Sequence, residues 1–176
     1  MQRARWLALL FLALPAVSLV AQAPKPPAEA AKLALWVGTW KYEGDVKASP
    51  LGAAAKLSGT QTGRMVMNGF FLEWKGEEKG AFGGVQWSEM DGYDPVAKNY
   101  PFTGYQNDGT TSAGANVVSG DTWKMTGTLT VKGVVYRQRA TGTFSANGKT
   151  YAWTADLSTD GKTWIPWVVG KSTKAP

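Results

Sequence analysis

Residues 37–47, VGTWKYEGDVK, decide the fold because apolar and charged side chains alternate along them. One face would carry two aromatic residues and a valine, and the other would carry three charges: Trp40, Tyr42 and Val46 against Lys41, Glu43 and Asp45. A two-residue period is that of a β-strand with one buried face and one solvated face. The segment therefore predicts a half-buried strand.

The same alternating pattern continues towards the C-terminus and is interrupted by turn dipeptides. Asn-Gly, Asp-Gly and Asp-Pro pairs, which are typical of hairpin turns, begin at positions 68, 91, 94, 108, 147 and 160. The segments between them predict strands near 37–47, 56–67, 70–79, 85–93, 99–106, 110–118, 121–131, 134–145, 149–158 and 162–171. Ahead of the strands, residues 28–35 are rich in helix formers and predict a short helix.

Many short antiparallel strands in one domain would leave long exposed edges unless the sheet closes or doubles. The sequence thus predicts an all-β fold, an antiparallel up-and-down barrel of about 8–10 strands, as a single domain over residues 28–176. A two-sheet sandwich is the alternative, because periodicity alone does not separate the two. Glycines inside the strand patterns would permit bulges, tight bends or close approach of backbones: Gly44, Gly59, Gly63, Gly104, Gly127 and Gly142.

The first 21 residues have the layout of a signal peptide. Arg3 and Arg5 precede an apolar run at 6–20, and small residues follow at Ala21 and Ala23. The run has 15 residues, whereas a spanning helix needs about 20; an uncleaved anchor helix is the alternative. We expect cleavage between Ala21 and Ala23, a Pro-rich tether at 22–27, export to the periplasm or beyond, and no stable membrane anchor after cleavage.

Composition excludes several kinds of site. The chain has no Cys and no His, so disulfides, thiolate nucleophiles, imidazole metal ligands and Ser-His-Asp triads are ruled out. We expect no metal, no cofactor and no catalytic set of residues. Without residues 1–21 the chain has 17 basic and 13 acidic side chains, a net charge of +4. The cations are spread singly instead of forming a basic stripe with exposed aromatic rings, so nucleic acid is not an expected partner.

Three segments carry a family resemblance: WVGTWKYEG at 36–44, GYDPVAKNY at 92–100, and STDGKTW at 158–164 followed by GKSTK at 170–174. Together they resemble a large bacterial calycin-like family, the domain of unknown function family 1579, many of whose members are exported. The segments are distributed over nearly all of the chain beyond the predicted signal peptide. The resemblance implies a calycin-like, that is lipocalin-like, barrel and no established activity.

The resemblance also suggests how one end of the barrel is closed. Trp40 would plug that end, with its indole N–H donating to a backbone carbonyl and a cation of the last strand lying across its ring. Lys171 is the matching cation, at the place where lipocalins usually supply an arginine. Both roles would be structural.

The chain has more tryptophans than a barrel of this size needs for packing. An inward cluster of Trp74, Trp87 and Trp153 would form a cup for a small apolar or aromatic molecule. Tyr105 belongs to the same cup, and the candidate polar contacts are Arg64, Glu89, Arg137 and Arg139. An inward arginine would favour an acidic ligand or would pair with Glu89. Two alternatives stay open: side chains fill the barrel completely, and Arg137 and Arg139 both lie on the solvated outer face.

Three functions remain open at this point. The first is a non-catalytic, exported barrel that binds a small molecule. The second is a cofactor-free enzyme in which Glu89 acts as acid or base beside Tyr105 and Arg137. The third is a surface module that binds glycan or protein through outward apolar residues, such as those at 70–72 and 164–169. Burial of these residues by the N-terminal helix or in a homodimer is the competing explanation for them.

Overall fold

The structure, a computed structural model, describes residues 23–81 and 83–176. The predicted signal peptide at 1–21 lies outside the described residues, and the predicted tether is described only from Ala23, as irregular chain up to Pro27. No helix in the described ranges combines the length and the apolar character needed to cross a membrane.

Ten antiparallel strands follow a short N-terminal 3₁₀ helix, Ala28–Trp36, and form a closed barrel. The strands are β1 (Gly38–Val46), β2 (Ala55–Val66), β3 (Phe71–Gly80), β4 (Val85–Asp91), β5 (Tyr100–Gln106), β6 (Thr111–Ser119), β7 (Thr122–Val131), β8 (Val134–Phe144), β9 (Thr150–Ser158) and β10 (Ile165–Lys174). A second 3₁₀ turn, Met67–Gly69, joins β2 to β3. Each strand pairs with the next, and β10 returns to pair with β1. The predicted all-β barrel is confirmed, and the two-sheet alternative is wrong.

The alternation along β1 determines which side chains face the lumen. The three apolar residues predicted to face inward are buried, and the three charged residues between them are exposed. On the outer face, Asp45 Oδ1 lies 2.6 Å from Lys56 Nζ of β2. Because such exposed ion pairs contribute little, the buried face of the strand is what fixes its register.

The last strand begins three residues later than predicted, at Ile165 instead of 162. The carboxylate of Asp160 causes the shift, because its Oδ1 accepts hydrogen bonds from the backbone N–H groups of Lys162, at 2.7 Å, and Thr163, at 2.8 Å. These bonds hold the preceding residues in a turn, so the pairing with β9 starts only after it. The strand ends at Lys174, three residues beyond the predicted end at 171.

The N-terminal helix closes one end of the barrel. Its last residue, Trp36, packs against five aromatic rings whose centroids lie 4.6 to 6.1 Å away, those of Trp40, Trp74, Trp123, Phe144 and Tyr151. The helix is tied to β5 as well, where the Tyr100 hydroxyl donates to the carbonyl of Glu29 at 3.0 Å. The five rings lie at the strand ends nearest the helix, so this end of the lumen is packed with aromatic side chains.

Two interior glycines make room for indole rings of the neighbouring strands. A Cβ built at Gly76 would lie 2.5 Å from the ring of Trp87, and one built at Gly170 would collide with the ring of Trp153. In each case the glycine and the tryptophan are paired directly across adjacent strands. The indoles therefore lie against the barrel wall, over the glycines.

Candidate ligand-binding site

The lumen of the barrel contains a cavity of about 370 Å³. Residues from all ten strands border it, together with Trp36 of the N-terminal helix. Small-molecule sites in proteins commonly enclose about 300 to 1,000 Å³. The side chains therefore leave enough room in the lumen for a compact molecule.

Indole rings dominate the apolar part of the cavity wall. Among the residues that the structure describes, six tryptophans border the cavity: Trp36, Trp74, Trp87, Trp123, Trp153 and Trp167. They come from the helix and from β3, β4, β7, β9 and β10, so they surround the cavity instead of forming one patch. Flat rings on several sides suit a flat guest, because aromatic pairs gain both from stacking and from edge-to-face contact.

Strands β3 and β4 supply the cavity with three carboxyl groups. Glu78 lies near the end of β3, whereas Glu89 and Asp91 lie two residues apart on β4 and so share one face of that strand. The described residues that border the cavity include neither Lys nor Arg. We call Glu78, Glu89 and Asp91 the acidic wall.

Glu89 and Asp91 interact closely at the part of the acidic wall nearer the closed end. Asp91 is 5% exposed, and its Oδ2 has no hydrogen-bond partner. Burial is the main cause that raises the pKa of Asp91 well above its ordinary value, and the nearby carboxyl of Glu89 is the second. A hydrogen bond with Trp74 lowers this pKa. Burial also raises the pKa of Glu89 to about 7. Burial and the proximity of the two carboxyl groups therefore both favour their protonated forms.

Glu78 ends a chain of hydrogen bonds further along the lumen. Trp87 Nε1 donates to the hydroxyl of Tyr42 at 3.4 Å, and this hydroxyl donates to Glu78 Oε2, also at 3.4 Å. The second carboxyl oxygen, Oε1, is buried without a hydrogen-bond partner. Burial raises the pKa of Glu78 to about 7 and also raises the pKa of the Tyr42 phenol.

The rest of the polar wall is uncharged. Amides and hydroxyls border the cavity from several strands, among them Gln61, Gln106, Ser112, Asn116, Gln138 and Ser172. Gln138 is buried and its Nε2 donates to the carbonyl of Thr128 at 3.2 Å. Trp123 is also buried, and its Nε1 has no hydrogen-bond partner. The unmet hydrogen-bonding capacity in the cavity wall thus includes two carboxyl oxygens and one indole N–H.

Five of the six predicted ligand contacts border the cavity: Trp74, Trp87, Glu89, Tyr105 and Trp153. Their contact with a ligand stays a prediction. Arg137 does not border it, and the side chain of Tyr105 does not project into the lumen.

Tyr105 borders the cavity, but its side chain is 60% exposed. The inward face of β5 is that of Tyr100, Phe102 and Gly104, so alternation turns the next residue outward. The structure therefore does not bring together Glu89, Tyr105 and Arg137, the set considered for a cofactor-free enzyme.

Arg137 is a correction of the predicted site. It lies exposed on β8 between the buried Tyr136 and Gln138, and its side chain reaches the turn at Gly161. Arg139 shares this outer face, where its Nε lies 2.8 Å from Asp156 Oδ2. The alternative with both arginines on the solvated face is confirmed, and the argument for an acidic ligand loses its basis.

Lys171 is also corrected, whereas Trp40 lies where the sequence placed it. Trp40 is fully buried, and its Nε1 donates to the Trp36 carbonyl at 3.0 Å. The cation over its ring is Lys174, whose Nζ lies 5.4 Å from the ring centroid and 3.4 Å from the carbonyl of Leu35. Lys171 pairs in register with Glu43 on the outer face. The register of β10 against β1 places Lys174 opposite Trp40. We call Trp36, Trp40 and Lys174 the plug.

Sequence reasoning did not place Glu78, Asp91 and the three indoles Trp36, Trp123 and Trp167 in the site. A usable signal existed for Asp91, since it lies two residues from Glu89 and strand periodicity places both on one face. Glu78 follows Glu77, and only one member of such a pair can face inward; the sequence gives no sign of which. Trp36 lies between the predicted helix at 28–35 and the predicted strand at 37–47, whereas in the structure it ends the helix.

The fold and the cavity define the class: a closed, ten-stranded antiparallel barrel with an aromatic lumen. Residues 25–162 match the model of the family described as "Protein of unknown function (DUF1579)", and the chain belongs to that family. Among solved structures, Rv2717c from M. tuberculosis is similar with a TM-score of 0.61 and 10% identity, over 86% of this chain and 100% of that one. At this identity the likeness concerns the fold alone. No curated protein matches the sequence.

Proposed function

We propose that the protein is a non-catalytic binding barrel for a small aromatic molecule. The observation that carries this proposal is the cavity of about 370 Å³ enclosed by six tryptophans. A concave, mostly apolar wall with a few polar groups is the usual form of a small-molecule site. The indoles surround the space on several sides, so an aromatic guest would contact them on its faces and on its edges.

The position of the indoles supports a site that exists before the ligand arrives. Trp87 and Trp153 lie over Gly76 and Gly170 of the adjacent strands. Their rings are held against the wall by this close fit, so they need not move to admit a guest. A preformed site avoids the free-energy cost of ordering side chains on binding.

Calorimetric titration with 2-(1-naphthyl)ethanol tests the proposal, because it detects binding without relying on tryptophan fluorescence. We expect saturable binding by the unmodified protein. Ala140 of β8 borders the cavity, so Ala140→Phe should fill it and abolish binding. Ala152 is exposed on β9, and Ala152→Phe should bind as the unmodified protein does. Equal binding by both variants would place the ligand outside the lumen.

We also propose that the protein is exported, on the basis of Arg3, Arg5 and the apolar run at 6–20. Intact-mass measurement of the protein from a bacterial periplasmic fraction would test this. A chain starting between positions 22 and 24 is the expected product. Recovery of the full chain from the cytoplasm alone would contradict export.

A further inference from the structure

The acidic wall contains carboxyl groups without a positive partner. Elsewhere in the barrel, acids pair with cations on the outer face, as Glu73 does with Arg64 and Asp156 with Arg139. Within the described part of the chain, every residue that borders the cavity outside the acidic wall is neutral. An unpaired carboxylate in a buried site is costly, and the cost falls when a cation enters beside it.

Two buried carboxyl oxygens indicate what a guest must provide. Asp91 Oδ2 and Glu78 Oε1 both lack a hydrogen-bond donor, and both residues border the cavity. Asp91 is only 5% exposed, so its Oδ2 faces the protein interior and not bulk solvent. Buried polar groups without partners are uncommon in folded proteins. A guest that satisfies these oxygens has to donate hydrogen bonds.

The aromatic surroundings favour a positive charge on the donor. Trp74 pairs directly with Glu89 across β3 and β4, and Trp36 packs on Trp74 with centroids 4.8 Å apart. The face of an indole attracts an ammonium group, and more strongly where water is excluded. The same rings can therefore contact both the aromatic body and the charged end of one guest.

We propose, on the basis of the aromatic-binding function, that the ligand is an aromatic amine in its protonated form and that Asp91 and Glu89 together receive its ammonium group. These carboxyl groups start from positions about 7 Å apart along the strand, and an ammonium group donates three hydrogen bonds. Glu78 lies opposite Val85, about 13 Å along the strand direction from Glu89. It is therefore outside the reach of the same ammonium group.

A metal ion and an anion both fit this wall less well. Within residues 23–81 and 83–176, no three Asp, Glu, His or Cys side chains are grouped as metal ligands. An anion would meet three carboxyl groups, and the described cavity wall offers it neither Lys nor Arg. A protonated amine matches the charge, the missing donor at Asp91 Oδ2 and the indoles at once.

Binding of the amine should release protons and strengthen as pH rises from 6 to 8, because an ammonium group favours the ionised carboxyls. The other titratable groups that border the cavity are Glu78 and the phenols of Tyr42, Tyr105 and Tyr151. Burial raises the pKa of Tyr42 and of Tyr151, so both remain neutral in this range. The ring of Tyr105 lies on the outer face.

Calorimetry with three naphthyl probes of matched size tests the proposal: 2-(1-naphthyl)ethylamine, 2-(1-naphthyl)ethanol and 1-naphthylacetate. At pH 8 we expect the amine to bind about tenfold tighter than the alcohol or better, and the acetate to bind most weakly. Asp91→Asn and Glu89→Gln should each remove about tenfold of amine affinity and leave alcohol binding intact. Glu77 is exposed on the outer face of β3, so Glu77→Gln should change neither.

The outcomes separate this inference from the function on which it rests. If none of the three probes binds, the aromatic-binding function fails and the inference fails with it. If the alcohol or the acetate binds as tightly as the amine, the amine proposal is overturned while the binding barrel stands. If the preference for the amine survives in both Asp91→Asn and Glu89→Gln, the carboxyl pair is not its receptor. Intact binding of the alcohol by each variant shows that the variant is folded.

Discussion

The plug and the acidic wall use the same kinds of side chain with opposite results. In the plug, the indole N–H of Trp40 and the ammonium of Lys174 both donate to carbonyls of the N-terminal helix. In the acidic wall, Asp91 and Glu78 each keep a carboxyl oxygen without a donor. Tryptophan surrounds both regions. Hydrogen-bond satisfaction, together with empty volume, is therefore what separates packing from a candidate binding site.

This difference has an energetic meaning. Buried polar groups that are fully partnered stabilise a fold, whereas unpartnered ones cost stability. Natural proteins depart from full satisfaction chiefly at functional sites. The plug should thus be sensitive to truncation, and the acidic wall should become more stable when its charge is removed.

The largest expected effect is at the plug. Trp40 is completely buried, so Trp40→Ala should lower the free energy of unfolding by about 3–5 kcal/mol. Urea unfolding measures the loss. Trp164 is the control, because it lies on the outer surface with the Arg139 guanidinium 4.4 Å from its ring centroid, and Trp164→Ala should cost about 1 kcal/mol. Equal losses would mean that Trp40 does not hold the closed end.

The acidic wall should show the opposite sign, with a pH dependence. The carboxyls of Glu78 and Glu89 have pKa values raised from 4.5 to about 7, so the folded state binds protons more tightly than the unfolded state. Their contribution to stability is fully present below pH 4.5 and is lost as pH rises through 7. Glu89→Gln should therefore stabilise the protein at pH 8, by about 1–3 kcal/mol, and have little effect at pH 5.

Urea unfolding of the unmodified protein and of Glu89→Gln at both pH values provides the measurement. Glu77→Gln serves as the control and should follow the unmodified protein at each pH. Destabilisation of Glu89→Gln at pH 8 would show that Glu89 has a stabilising partner, contrary to the acidic wall described above. Together with the calorimetry, this predicts that one substitution raises stability while it weakens amine binding.

Substitution of a glycine beneath an indole should have a smaller effect on stability. It should also weaken ligand binding, so it links the two properties. Gly76→Ala would force the ring of Trp87 away from the wall, since the new Cβ would lie 2.5 Å from it. We expect a loss of about 1–2 kcal/mol in unfolding free energy and weaker binding of naphthyl probes. A Cβ at Gly84 meets nothing within 4 Å, so Gly84→Ala is the matched control. If Gly76→Ala binds the naphthyl probes with unchanged affinity, the ring of Trp87 does not define the cavity.

The smallest effect tests the corrected cation of the plug. Lys174→Met should cost about 0.5–1 kcal/mol, because it removes the cation from the Trp40 ring. Lys171→Met, on the exposed side of the same strand, should cost less. Thermal unfolding of the two variants side by side distinguishes them, and the reverse order would restore Lys171 as the partner of Trp40.

The strands could be predicted because alternation and turn dipeptides are local signals. The start of β10 could not, because it depends on hydrogen bonds of Asp160 to the turn that follows it. The inward face of β5 was also difficult to recognise in the sequence. Its third inward residue is Gly104, which leaves Tyr105 as the conspicuous aromatic residue although it faces outward.

The site was harder to predict than the fold because pairing between charged residues depends on strands that are far apart in the sequence. Arg137 lies on β8 and Glu89 lies on β4. Which alternate residues of a strand face the lumen is set for each strand separately. That Asp91 Oδ2 has no hydrogen-bond partner became visible only with its neighbours in three dimensions. Sequence therefore indicated an aromatic lumen, while the sign of its charge required the structure.

A crystal structure of the protein soaked with 2-(1-naphthyl)ethylamine at pH 8 tests the central claim most directly. The account predicts the naphthyl ring among the indoles of the lumen and the amine nitrogen within hydrogen-bond distance of Asp91 Oδ2. A lumen without the compound, or a compound whose amine faces away from Asp91 and Glu89, would contradict it.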